Sequence, residues 1–139
     1  MNVMNQLTAQ DANASFYEAF QRLSISDMDT IWSHGDDSIC VHPGWELVIG
    51  WLAIKESWIQ IFDNTEEIEI IANTLRVRKY GNLAIVICLE HIKTLVNGRP
   101  LKFGVLATNV FEDSDGIWLL SHHHGSAISN YFFPNADSI

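Results

Sequence analysis

The sequence predicts an α+β fold in which helices pack on one face of a curved antiparallel sheet. Three segments of the N-terminal half place apolar residues at helical spacing, and the later segments are strand-like and joined by turn residues. Because helices come first and consecutive hairpins follow, the helices have a single sheet to cover. The predicted helices span about 9–23, 26–32 and 51–62, and the predicted strands about 38–42, 67–79, 83–96, 100–111 and 117–124.

The helix boundaries follow from capping residues and apolar stripes. Thr8 followed by Asp11 resembles an N-terminal capping box, and apolar residues recur behind it at helical spacing. Ser26-Asp27 is predicted to cap the short second helix. Gly50 precedes the third helix, whose stripe is wide and aromatic and includes Trp58. Such a stripe indicates that the third helix packs against a broad surface.

Two turns set the alignment of the last three strands. Asn97-Gly98 is the strongest short hairpin signal in the chain and predicts a two-residue turn. Residues 113–116 are predicted to form a four-residue loop that places Glu112 opposite Ile117. Directly opposed residues share a face of the sheet, so the two turns assign each strand residue to one face.

One predicted face, the inner face, mixes apolar and polar side chains. Its polar members are Glu90, Asn109, His122 and His124, and its apolar members include Cys88 and Trp118. Buried polar groups must be paired, hydrated or used in function. We therefore expect the sheet to curve around a polar pocket.

The opposite face, called the outer face below, is also largely apolar. Its predicted members are Leu83, Ile85, Ile87, Leu89, Leu106, Thr108, Val110, Leu119, Ser121 and His123. A sheet with two apolar faces has to be covered on both sides. The helices cover the inner face, so we predict a homodimer through the outer face.

The composition narrows the classes of partner. The 139 residues carry a formal net charge of −9, from 17 acidic and 8 basic side chains. This charge repels phosphate backbones, so we expect no nucleic-acid partner. The sequence shows neither a membrane-length apolar run nor a signal-peptide pattern, so we expect no membrane partner. Cys40 and Cys88 resemble buried free thiols, which predicts a cytoplasmic protein.

Several short motifs follow one another along nearly the whole chain. They occupy residues 26–32, 41–44, 107–111 and 116–124, with Gly50 opening the Ile54…Trp58…Phe62 helix. In this order the chain resembles the nuclear transport factor 2-like superfamily, in its SnoaL-like branch. The resemblance implies one domain over residues 1–139, a cone of helices closing a strongly curved mixed or antiparallel sheet around an internal pocket, and a dimer. It implies no single activity, because the superfamily includes enzymes, ligand binders and assembly domains.

Comparison with the ketosteroid isomerase-like members suggests roles for two residues. Their acidic general base precedes a proline, where this chain has His42 before Pro43. Their protonated carboxylic acid corresponds to Asn109, which also donates a hydrogen bond while uncharged. The catalytic tyrosine on the first helix of those enzymes corresponds to a position near Ala19, so the tyrosine hydroxyl donor is missing there in this chain. The resemblance therefore implies proton-transfer chemistry without implying the steroid reaction.

These residues give a candidate catalytic set. His42 is the candidate general base, and Asn109 with His122 or His124 is expected to polarise a substrate oxygen. Glu90 is expected to orient one of the histidines. The alternative is a structural polar network in a half-hydrated pocket. A metal site on His122, His124 and Glu90 is a further alternative, but alternate strand residues lie about 6–7 Å apart. We expect no metal and no cofactor.

Aromatic and apolar residues supply candidate walls for the pocket. The candidate ligand contacts are Phe20, Trp32, Trp45, Cys88 and Trp118. We expect a small, apolar or carbonyl-containing molecule that is isomerised, cyclised or dehydrated by histidine-based proton transfer. The alternative is a non-catalytic module for ligand binding or dimeric assembly.

Overall fold

The computed structural model describes residues 6–134, which form three helices and six strands. The helices are α1 (Ala9–Gln21), α2 (Ile25–Ile31) and α3 (Trp51–Asp63). The strands are β1 (Ile39–Val41), β2 (Val48–Ile49), β3 (Thr65–Tyr80), β4 (Leu83–Val96), β5 (Arg99–Ser114) and β6 (Ile117–Ala127). The predicted helices and strands are confirmed, and β2 is an additional strand that was too short to be predicted.

The N-terminal caps of α1 and α2 are both hydroxyl groups. The Thr8 hydroxyl accepts a hydrogen bond from the Asp11 amide at 3.0 Å, which confirms the predicted cap of α1. The cap of α2 is Ser24, whose hydroxyl accepts from the Asp27 amide at 3.2 Å. The predicted cap at Ser26-Asp27 is therefore two residues too late, since Asp27 receives the cap instead of providing it.

The six strands form one mixed sheet in the order β2-β1-β6-β5-β4-β3. The β1 strand runs parallel to β6, and the other neighbouring strands are antiparallel. Helix α1 packs across β3 to β6, and α3 packs against β1, β2 and β3. The helices thus pack on the sheet, which confirms the predicted α+β fold class.

The β4–β5 hairpin has the predicted alignment. Asn97 and Gly98 both have positive φ, at 51° and 77°, as a two-residue hairpin turn requires. Val96 pairs with Arg99, and the ladder continues without interruption to Leu83. Glu90 therefore lies opposite Val105, on the buried side of the sheet.

The β5–β6 hairpin differs from the prediction in two ways. Its turn contains two residues, so Ser114 pairs with Ile117, and this two-residue shift keeps Trp118 and Leu120 on the buried side. Farther along, Leu120 pairs with Phe111 but His122 pairs with Val110, which leaves Ser121 as the extra residue of a β-bulge. The bulge reverses the faces of all later residues of β6.

An aromatic core fills the space between the helices and the inner face. Phe16 makes edge-to-face contacts with Tyr17, Phe20, Trp32 and Trp58, at centroid distances of 4.9–6.4 Å. On the outer face, Ile85, Ile87 and Leu89 are half-buried in the single chain. No helix within residues 6–134 is long and apolar enough to cross a membrane.

Deletion of Ser121 is predicted to leave the fold intact. Ser121 is the extra residue of the bulge. Its removal makes Leu120 and His122 neighbours in the chain, opposite the neighbouring residues Phe111 and Val110, and changes no other pairing. Deletion of Thr108, within a regular part of the ladder, reverses the faces of half of β5 and should prevent folding. Thermal unfolding and near-ultraviolet circular dichroism compare the two variants; equal damage from both deletions would contradict the assignment of the bulge.

Candidate active site

A cavity of about 250 Å³ lies between the helices and the inner face of the sheet. Its lining is mostly apolar, and it contains the side chains of His42, Glu90 and His123. Trp45 and Leu101 are exposed and lie at its outer end, whereas Glu90 and His123 are each 2% exposed. The complete lining consists of Phe20, His42, Pro43, Trp45, Ile61, Thr65, Ile68, Glu90, Ile92, Thr94, Val96, Leu101, Phe103 and His123.

Glu90 is a buried carboxyl group held by a tyrosine of the first helix. The Tyr17 hydroxyl donates to Glu90 Oε2 at 2.5 Å. This bond is made to Oε2 and does not involve the other carboxyl oxygen, Oε1. Burial raises the pKa of Glu90 to about 7, and the bond from Tyr17 only partly opposes that rise. Near neutral pH the carboxyl group can therefore hold or release a proton.

Asn109 connects Glu90 to a histidine through Tyr17. Its Nδ2 donates to the Tyr17 hydroxyl oxygen at 3.0 Å and to Asn13 Oδ1 at 2.9 Å. Its Oδ1 lies 2.6 Å from His123 Nδ1. Since an amide oxygen only accepts, His123 Nδ1 must carry the proton of this bond. The donors therefore point in one direction, from His123 through Asn109 and Tyr17 to Glu90.

His123 is a neutral imidazole within the core. Burial and, to a smaller extent, the neighbouring histidines lower its pKa to about 3. Its ring packs against Phe16 at 5.0 Å and Trp58 at 6.0 Å between centroids. With Nδ1–H donated to Asn109, Nε2 is the nitrogen that retains a lone pair.

His42 directly follows β1 and lines the cavity. Its Nε2 lies 2.8 Å from the Ser57 hydroxyl on α3. Burial lowers its pKa to about 4, so the imidazole is neutral at pH 7. Its ring centroid is 6.5 Å from that of His123. The predicted base thus lies at the cavity wall, near the buried His123.

The prediction that His122 and His124 face the pocket is wrong. The bulge at Ser121 turns both side chains to the outer face, where their rings stack at 6.4 Å, and turns His123 inward. Glu90 consequently bonds to Tyr17 and to neither of these histidines. The metal alternative fails for the same reason, and residues 6–134 contain no group of three or more metal-ligating side chains.

The predicted ligand contacts divide into two groups. Phe20 and Trp45 line the cavity as expected. Trp32 instead packs against Trp51 within the core, and Lys79 lies over the Trp118 ring at 5.4 Å. The Cys88 thiol accepts a hydrogen bond from Asn13 at 3.4 Å. Trp32, Trp118 and Cys88 are therefore not part of the cavity lining.

Sequence reasoning missed Tyr17, Asn13 and His123. Asn13 and Tyr17 are four residues apart on α1, so they share the helix face that meets the sheet. This i, i+4 spacing is visible in the sequence and is the signal that could have identified the pair. The hydroxyl expected to be missing near Ala19 is supplied two residues earlier, by Tyr17.

Replacing Glu90 by Gln is predicted to change how stability depends on pH. Because the folded-state pKa is raised, the contribution of Glu90 is complete below about pH 4.5 and lost as the pH rises through 7. The difference between 4.5 and 7 corresponds to about 3 kcal/mol. The free energy of unfolding is measured with urea at pH 4.5 and pH 8. Between these two pH values, the stability of Glu90→Gln relative to wild type should increase by that amount. The exposed control Glu112→Gln should show no such gain, and a pH-independent Glu90→Gln difference would refute the raised pKa.

Comparisons with known proteins identify the family. The model of the SnoaL-like domain matches residues 9–130. An F-box protein of Arabidopsis thaliana, SKIP8, is 28% identical over 84% of this chain, and the chain spans about half, 48%, of that relative.

Solved structures show the same fold. A proposed dehydratase of the NTF2-like family from Streptomyces avermitilis has a TM-score of 0.81 and 29% identity, covering 91% of this chain and 97% of that one. A proposed calcium/calmodulin-dependent protein kinase type II association domain from Thiobacillus denitrificans has a TM-score of 0.80 and 25% identity, covering 88% and 96%. A ketosteroid isomerase-like protein from Erwinia carotovora atroseptica has a TM-score of 0.79 and 17% identity, covering 90% and 97%. The chain belongs to the SnoaL-like domain family, within the NTF2-like cone fold.

Proposed function

We propose that this protein is an enzyme that moves protons on a small molecule held in the cavity, as an isomerase, cyclase or dehydratase does. The observation that carries the proposal is that His42 and Glu90 line one small, mostly apolar cavity. Burial holds the first as a neutral base and gives the second a pKa of about 7. Coupled proton transfer requires a base without the proton that it will take and an acid with the proton that it will give at the same pH. The environments of the two groups favour these states.

The lining of the cavity favours an uncharged substrate. Within the described residues no lysine or arginine lines the cavity, so a carboxylate or phosphate would enter without a counter-charge. The net charge of −9 further disfavours anions. A volume of about 250 Å³ suits a small ligand. We infer a largely apolar molecule with a carbonyl or hydroxyl group.

The chemistry follows from the two protonation states. Neutral His42 takes a proton from the carbon next to a carbonyl group, and the electrons of that C–H bond form a C=C bond. Glu90, protonated on Oε1 because Oε2 already accepts from Tyr17, gives its proton to the carbonyl oxygen or to a departing hydroxyl group. The products are an enol, or an alkene and water. The imidazolium and carboxylate formed together stabilise each other by charge attraction.

The relatives support this class of reaction in different degrees. The Streptomyces structure, described as a proposed dehydratase, resembles this chain in sequence as well as in fold. The ketosteroid isomerase-like structure, at 17% identity, supports the fold alone. Dehydration and isomerisation both begin with the same proton abstraction, so one assay covers both.

A second candidate function is assembly through a homodimer. Ile85, Ile87, Leu89 and Val110 are half-buried on the outer face, and Leu106 is 43% exposed. An apolar patch on a sheet is favoured as an interface between copies. The Thiobacillus structure, described as a proposed association domain, supports this candidate. Dimerisation is compatible with catalysis, because the inner cavity lies on the other side of the sheet.

A cytoplasmic location is part of the same proposal. Cys40 and Cys88 are both buried and free. Burial raises the pKa of each thiol, which keeps both in the unreactive protonated form. A fold with these thiols and no disulfide among the described residues has no requirement for an oxidising compartment.

Hydrogen–deuterium exchange tests the enzyme proposal without knowledge of the product. Small uncharged ketones and β-hydroxy ketones are incubated with the protein in D₂O, and proton NMR follows the carbon next to the carbonyl group. Wild type should exchange at least one of them, with a rate that falls above pH 7 as Glu90 loses its proton and below about pH 4 as His42 gains one. His42→Gln should lower the rate about 100-fold or more.

The control for this assay is His124→Gln, which removes an exposed outer-face imidazole and should leave the rate unchanged. A compound that raises the melting temperature but never exchanges or reacts would reject catalysis in favour of ligand binding.

Sedimentation velocity tests the dimer. Wild type should sediment as a dimer, and Ile87→Glu should give a folded monomer, because it places a charge in the middle of the outer face. Leu52→Glu is the matched control, since Leu52 is 84% exposed on α3, away from that face. A monomeric wild type would refute assembly through the outer face.

A further inference from the structure

We propose that Ser57 is a positioning residue that holds His42 in the Nε2–H tautomer and thereby makes Nδ1 its basic nitrogen. The inference rests on the proposed role of His42 as the base and identifies which of its two nitrogens acts. It concerns an α3 side chain that does not line the cavity.

The Ser57 hydroxyl has two hydrogen-bonding neighbours but only one proton. Its oxygen lies 2.6 Å from the Ile54 carbonyl oxygen, and a carbonyl oxygen can only accept. The hydroxyl proton is therefore given to Ile54. The second neighbour, His42 Nε2, lies 2.8 Å away and must supply its own proton to the Ser57 oxygen. Both bonds are short and buried, so both are expected to be made.

The imidazole is also fixed in orientation. The Trp45 and Trp58 rings contact it edge-to-face at centroid distances of 4.8 and 4.6 Å, with interplanar angles of 71° and 87°. The ring therefore cannot turn over to exchange its nitrogens without displacing two indoles. Tryptophans set the plane of the ring, and Ser57 sets the position of its proton.

The remaining nitrogen has no strong partner. Among residues 6–134, the contact of His42 Nδ1 is the Cys40 thiol at 3.8 Å, a long and weak one. The thiol is neutral because burial raises its pKa. Nδ1 thus retains a lone pair that can accept a substrate proton, while α3 holds the opposite nitrogen. Ser57 therefore influences the proposed proton transfer only by fixing the tautomer of His42.

Nitrogen NMR reads the tautomer directly. Long-range ¹H–¹⁵N correlation spectra of uniformly labelled protein are recorded at pH 7, where His42 is neutral, and the spectrum of His42→Gln assigns its signals. In wild type, Nε2 should have the shift of a protonated nitrogen and Nδ1 that of an unprotonated one. In Ser57→Ala, the Nε2 shift should move towards the unprotonated range and the Nδ1 shift towards the protonated range.

Two further variants separate positioning from packing. Ser57→Thr keeps a hydroxyl that can bond to Ile54 and should restore the wild-type shifts. Cys40→Ala removes the other polar neighbour of the ring and should leave the tautomer unchanged. The His123 signals, which depend on the bond to Asn109, report whether each variant is folded.

The outcomes distinguish this inference from the proposed function. A protonated Nδ1 in wild type, or unchanged shifts in folded Ser57→Ala, would overturn the role of Ser57. The NMR experiment contains no substrate, so a correct tautomer with no proton exchange on any ketone would reject catalysis and retain the assignment of Ser57.

Discussion

The hydrogen bond from the Tyr17 hydroxyl to the Glu90 carboxyl group is the interaction on which the whole site depends. A carboxyl group that is 2% exposed is costly to bury unless it is paired or protonated. Tyr17 can serve as its partner only because Asn109 and His123 fix the tyrosine oxygen from the other side. One helix and three strands must therefore dock correctly before Glu90 is satisfied, so the packing of α1 on the sheet and the chemistry of the cavity have the same origin.

Burial has opposite effects on the two kinds of ionisable group in this cavity. It raises the pKa of Glu90 to about 7 and lowers the pKa values of His42 and His123 to about 4 and 3, because it disfavours whichever form is charged. The result at neutral pH is a carboxyl group that can still hold its proton in the same cavity as neutral imidazoles, each of which keeps one nitrogen lone pair. Such an arrangement destabilises the fold on both sides of neutrality, since the histidines resist protonation in acid and the carboxyl group resists ionisation in alkali. Buried polar groups retained at that cost are expected at a functional site.

The sequence was sufficient to predict the β4–β5 hairpin and half of the site. Asn97-Gly98 requires positive φ at two positions, so the alignment that puts Glu90 and Asn109 on one face has a local cause that can be read directly. The β6 histidines could not be assigned in the same way. The bulge at Ser121 arises from pairing between strands and carries no glycine or proline that would mark it, and one extra residue is enough to exchange His123 for His122 and His124. The Ser57 contact with His42 joins α3 to the end of β1, a tertiary relation that no local pattern contains.

Difference infrared spectroscopy of the carboxyl C=O stretch, comparing wild type with Glu90→Gln across a pH titration, tests the central claim most directly. The account predicts a protonated-carboxyl band, absent from the variant, that disappears with a midpoint near pH 7. A band that titrates near pH 4.5, or no difference between the two proteins, would mean that Glu90 is ionised at neutral pH and cannot donate the proton assigned to it.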